Sequence, residues 1–93
     1  MHIVSAVLQL YLPSRSLKEK RSIIKSLLAR SRNRFNVAAA EVEFQDVHDT
    51  AALGFVTVSE NRAGGRRVLE EIVAWVEEER PDLEITSVDI EER

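Results

Sequence analysis

The sequence predicts an α+β fold of βαββαβ order, and three observations carry that prediction. Apolar residues alternate with period two in two stretches, a third is rich in β-branched residues and a fourth turns Val88 and Ile90 inward, which marks four strands. Apolar residues recur at helical spacing in two others. The stretches follow one another as strand, helix, strand, strand, helix, strand, with no repeat, linker or low-complexity segment between them. Residues 1–93 are therefore expected to form one domain, long enough to bury roughly 60–65% of the surface its unfolded chain exposes.

The first strand spans residues 3 to 12, with Val4, Ala6, Leu8, Leu10 and Leu12 on one side and Ser5, Val7, Gln9 and Tyr11 on the other. Pro13 and Ser14 end it. Ser16-Leu17-Lys18-Glu19 has capping-box spacing, so a helix is expected to begin near Leu17. Its stripe is Leu17, Ile24, Leu27, Leu28, Ser31 and Phe35, with nearly all the basic residues outside it. Val37 to Gln45 alternates again, Ala38, Ala40, Val42 and Phe44 against Ala39, Glu41 and Glu43. After the polar link Asp46 to Thr50, Leu53 to Ser59 is rich in β-branched residues, and the two read as a hairpin.

From about Asn61 the pattern becomes helical through Val68, Leu69, Ile72, Val73 and Val76, and Pro81 terminates it. A last strand from Glu84 to Ile90 turns Val88 and Ile90 inward. The usual solution for this order is the split βαβ, or ferredoxin-like, sandwich: a four-stranded antiparallel sheet with both helices on one face.

Composition narrows the chemistry. With 44% hydrophobic and 31% charged residues the chain has an ordinary globular balance. It contains no Cys, which excludes disulfides, thiolate metal sites and a Cys nucleophile. The run from Ile3 to Leu12 is too short to span a bilayer, and Pro13 and a basic segment follow it, so no membrane association and a cytoplasmic location are expected. Net charge is only −3, yet Arg15, Lys18, Lys20, Arg21, Lys25, Arg30, Arg32 and Arg34 crowd residues 15–34, where Glu19 is the only acid. Such a dipole bears on partners rather than on fold.

Catalytic constellations are missing. Only His2 and His48 occur, and neither has sequence support for a place beside a Ser nucleophile and an orienting acid, so neither enzymatic activity nor a cofactor is expected. Asp46-Val47-His48-Asp49 matches no established metal motif and reads as a turn. Gly64-Gly65-Arg66-Arg67 at a helix start could attract an anion, but a flexible helix entry with solvated arginines is the plainer account.

Three surfaces remain. Antiparallel helices bring the C-terminal end of the first toward the N-terminal end of the second, so Arg30, Arg32 and Arg34 are expected near Arg62, Arg66 and Arg67 as a phosphate-binding patch, or as a solvated rim partly cancelled by neighbouring glutamates. On the uncovered sheet face Val7, Tyr11, Leu53 and Phe55 are expected as an apolar protein interface, with Glu41 and Glu43 making that face unsuited to RNA. Lys20 or Arg21 is expected to pair with Asp46 and fasten the first helix to the hairpin.

Ser16-Leu17-Lys18-Glu19-Lys20-Arg21, Phe35-Asn36-Val37 through Ala40-Glu41-Val42, Gln45-Asp46 and Leu53-Gly54 together resemble the YlxP-like family of small bacterial proteins. His48 departs from the resemblance, which leads one to expect a Trp there. The resemblance implies a ferredoxin-like fold, and the family's gene neighbours imply a role near ribosomal RNA or ribosome assembly. The expected function is thus a non-enzymatic module associated with ribosome or translation. Its partner is either ribosomal RNA or a ribosomal subunit, met through the arginines without DNA or base specificity, or a protein, including a second copy, met through the open sheet.

Overall fold

A computed structural model describes residues 1–93 and contains β1 (His2–Tyr11), α1 (Leu17–Arg34), β2 (Ala38–Glu43), β3 (Thr50–Ser59), α2 (Arg62–Glu79) and β4 (Glu84–Glu92). The strands form one antiparallel sheet in the order β2-β3-β1-β4, with both helices on one side, the ferredoxin-like arrangement. β1 and β3 lie in the middle of the sheet, and their inward residues are the most apolar in the chain.

Pairing decides which residues share a face, because residues directly opposite across an antiparallel ladder point the same way. Ala6 pairs with Phe55, Leu8 with Leu53 and Leu10 with Ala51, so all six are buried under the helices. This corrects the expectation that Leu53 and Phe55 lie on the open face. β3 has apolar residues on both sides, Leu53 and Phe55 against Val56 and Val58, so its own alternation is mute about direction. Only the register with β1 supplies the answer. Thr57 follows the same parity and is buried, its hydroxyl donating to the Asn36 carbonyl at 2.8 Å.

Glu41 moves for the same reason. It pairs with Leu53 and therefore points to the helix side. A register shift between Glu41 and Glu43 leaves Val42 as the extra residue and returns Glu43 to the open face. β3 begins three residues before Leu53 and β4 extends to Glu92, because β1 supplies ladder partners to Thr50, Ala51 and Ala52 on one side and to Glu91 and Glu92 on the other. Val88 turns toward the helix side as expected, but no helix covers it and it stays 44% exposed.

Ser16 caps α1 by accepting from the Glu19 amide at 3.1 Å, while the Glu19 carboxylate accepts from Arg15 N at 3.4 Å. Asn61 caps α2, its Oδ1 taking the Gly64 amide at 2.7 Å. Gly65 then comes down on β1: a Cβ there would lie 2.7 Å from Val4 Cγ2, closer than carbon atoms approach. Leu69, Ile72, Trp75 and Val76 of α2 join Ile24, Leu27 and Leu28 of α1 over the sheet in one apolar cluster. Fully burying each large aliphatic side chain contributes about 1.5–3 kcal/mol. Arg80 and Asp82 close the turn into β4, and their double hydrogen bond holds the Asp82 carboxyl below its ordinary pKa and the Arg80 guanidinium above its own.

Candidate functional site

Lys20 lies inside the protein. Its side chain is 0% exposed, and Nζ donates to the carbonyls of Phe44 at 2.5 Å and Val47 at 2.6 Å. A Glu41 carboxylate oxygen is 2.9 Å away but receives no hydrogen bond, so that contact is ionic without being directional. Of the two partners expected for Asp46, Arg21 is the one that pairs with it, at 3.8 Å with both side chains well exposed, while Lys20 takes this internal pair instead. One long side chain thus ties the loop after β2 to the first turn of α1, where Phe44 takes the left-handed conformation with φ 64°. Ser14 adds a second tie, its hydroxyl donating to the His48 carbonyl while His48 Nδ1 meets the Ser14 carbonyl at 3.0 Å.

The six arginines do not assemble as expected. Arg30 reaches Glu79 at 2.6 Å and lies over the Trp75 ring, 5.8 Å from its centroid. Arg34 stands over Phe35, which packs edge-on against Trp75. Arg32 donates to the Ala39 carbonyl at 3.2 Å on edge strand β2, whereas Arg62 turns to Glu92 at the end of the opposite edge strand, at 3.8 Å. Arg66 faces Glu70 one turn along its own helix. Topology fixes the direction of each helix but not how far one slides along the other. Phe35 meets Trp75 and Arg30 meets Glu79, so the end of α1 lies beside the last turns of α2.

A different basic surface appears along α1. Lys18, Arg21, Lys25 and Arg32 follow one exposed line over 14 residues, about 21 Å at 1.5 Å per residue. Lys18, Lys25 and Arg32 have no carboxylate within ion-pairing reach. Beside this line lies a groove of about 410 Å³ between α1 and β2, with Ile24, Leu28 and Ala29 among its lining and Arg21, Lys25, Arg32 and Glu41 around it. The spacing of these residues was legible in the sequence; their position next to a free sheet edge was not.

The open sheet face is apolar at its centre and acidic at its margins. Val7, Tyr11, Val42, Val56 and Val58 are each 41–52% exposed there. Val7 and Tyr11 therefore lie where the sequence placed them, and Val42, Val56 and Val58 take the positions assigned to Leu53 and Phe55. Glu43 lies on one margin, and Asp89 and Glu91, opposite Val7 and Ser5, on the other. Arg93 reaches this face at Ser5 and is 2.9 Å from Glu91. A shallow depression of about 440 Å³ runs across the middle, with Val7, Gln9 and Ala52 along it.

Elsewhere the candidate anion and metal motifs are absorbed locally. Asn61 occupies both the Gly64 amide, through Oδ1, and the Gly65 amide, through its carbonyl at 3.3 Å, and Asp49 accepts from the Thr50 hydroxyl. No helix is long and apolar enough to cross a membrane.

Fold and surfaces together define a small α+β sandwich of ferredoxin-like topology, basic along one helix and apolar with acidic margins on its open face. The chain belongs to the family described as "Protein of unknown function (DUF503)", whose model matches residues 3–90. It is also 35% identical over 71 residues, 76% of each chain, to the "Uncharacterized protein YlxP" of Bacillus subtilis (strain 168).

Proposed function

We propose that this protein is a non-enzymatic binding module of the translation apparatus whose open sheet face docks on a partner protein. The carrying observation is the group of five large apolar side chains, Val7, Tyr11, Val42, Val56 and Val58, left half-exposed on one face. The carboxylates of Glu43, Asp89 and Glu91 select a partner with an apolar centre and basic margins, as RNA-associated proteins offer. They disfavour a second copy, since a face-to-face pair with its two-fold axis along the strands would lay β2 of one protomer against β4 of the other and oppose like charges.

A second reading is favoured by the unpaired Lys18, Lys25 and Arg32 on α1: contact with structured ribosomal RNA through phosphates. It transfers the expected arginine site from the helix ends to the helix flank. Arg34 and the exposed Arg67 remain available to it, whereas Arg30, Arg62 and Arg66 already face carboxylates.

One experiment separates the two. Binding to purified ribosomal subunits, to their proteins and to ribosomal RNA fragments is measured over a salt series for wild type, for Val56→Asp/Val58→Asp and for Lys18→Glu/Lys25→Glu. The protein-docking reading expects the valine variant to lose roughly tenfold or more and the lysine variant to stay near wild type. Loss confined to the lysine variant, steep in salt, would move the function to RNA. A concentration-independent monomer in light scattering is expected, and a stable dimer broken by the valine variant would replace the outside partner with a second copy.

A further inference from the structure

We propose that the free edge of β2, with the groove between it and α1, takes an extended acidic segment of a partner polypeptide as a fifth strand of the sheet. This surface is separate from the open face and prefers the opposite charge, so it stands or falls independently of the docking reading above.

The register shows which backbone groups of β2 are free. Leu12 N donates to Asp49 O at 2.8 Å, continuing the β1–β3 ladder, so odd-numbered residues of β3 bond toward β1 and even-numbered ones toward β2. Ala38 opposite Val56 and Ala40 opposite Gly54 are therefore the β2 residues that bond to β3. The amide and carbonyl of Ala39 and of Glu41 point away from the sheet. Arg32 confirms the direction, reaching the Ala39 carbonyl from outside at 3.2 Å, and the Gln45 side chain lies 3.5 Å from the Glu41 carbonyl. Both covers are exposed side chains that can swing aside, and the two amides keep no cover at all.

The groove supplies selectivity. Arg21, Lys25 and Arg32 line it with one carboxylate, Glu41, which Lys20 already neutralises. Ile24, Leu28 and Ala29 give it an apolar floor. Successive outward residues of a strand recur about every 6.8 Å and alternate donor with acceptor, a pattern that another polypeptide strand matches and a phosphate chain does not. Acidic side chains on the added strand would meet the three cations and an apolar one would fill the floor. The same cations repel a second copy approaching edge to edge.

The probe is a short fluorescent peptide alternating glutamate and valine, compared with its lysine–valine counterpart, with an N-methylated glutamate–valine form and with a single-stranded RNA oligonucleotide. Wild type is expected to bind the acidic peptide roughly tenfold or more tighter than the basic one at low salt. Methylation should abolish binding, and exchange of the Ala39 and Glu41 amides should slow in the complex. Ala39→Pro removes only an outward amide and leaves the β3 ladder whole, so it should fold, keep its open-face binding and lose the peptide. Val56→Asp/Val58→Asp should keep the peptide. No acidic-peptide binding by folded wild type, equal binding by the methylated peptide, or binding of RNA alone with Ala39 and Glu41 unprotected would each overturn the proposal.

Discussion

The two helices cover the same sheet by different means. α2 lies over the central strands β1 and β3 and docks by apolar contact, with Gly65 against Val4 and Leu69, Ile72 and Val76 fully buried. α1 lies over edge strand β2 and is fastened near its start by a cation, Lys20, buried among two carbonyls and a carboxylate. A glycine brings backbones together and seals the layer, whereas a lysine spans the gap with a long side chain. α1 is the helix that borders the groove of about 410 Å³. The side of the fold that is anchored by polar chemistry is also the side with a free surface.

Breaking the polar anchor should have the largest effect. Lys20→Met strands the Phe44 and Val47 carbonyls and the Glu41 charge together, and a loss of about 3–5 kcal/mol in urea unfolding is expected. Adding Glu41→Met should restore part of it, since a matched apolar pair leaves no buried charge alone. A single-variant loss near zero would show that α1 does not depend on this lysine.

The apolar anchor comes next. Gly65→Ala raises helix propensity by about 1 kcal/mol but drives a methyl against Val4, for a net loss of about 1–3 kcal/mol. In a Val4→Ala background the same change should become neutral or stabilising. If it destabilises equally in both backgrounds, the close approach is not what fixes glycine there.

Arg21 sharpens the comparison, because it neighbours Lys20 in sequence and shares none of its burial. Asp46→Ala should cost less than about 1 kcal/mol, as exposed pairs do, and a larger loss would make the outer pair a true fastener.

The smallest effect belongs to Arg80 and Asp82. The folded carboxyl titrates below its unfolded value, so its contribution is present at neutral pH and disappears as pH falls through the depressed value. Asp82→Asn should lower stability slightly at neutral and alkaline pH and remove that acid-side slope, and an NMR titration of Asp82 at its ordinary pKa would refute the coupling.

Most of the fold was legible because its signals are local. β1 alternates cleanly, Ser16 and Glu19 mark a helix start, and Pro81 marks a helix end. The site was less legible, and the failures have one form. Leu53 and Phe55 belong to a strand apolar on both sides, so facing required a partner strand. Lys20 differs from Lys18 and Arg21 only in helical phase, and whether that phase meets a loop carbonyl depends on where residues 44–47 turn. The arginines at the helix ends stand where the helix bounds put them, but their grouping depended on how far one helix slides along the other, which no local pattern fixes.

The sequence alone therefore determined the element order, the antiparallel sheet with two helices, the basic character of α1 and the inward half of β1, since hydrophobic period and capping act over a few residues. Tertiary structure decided the direction of β3, the burial of Lys20, the dispersal of the arginines and the free edge of β2. Each of these depends on which groups meet across long sequence separations, where strand register and helix packing choose among arrangements that local patterns leave equal.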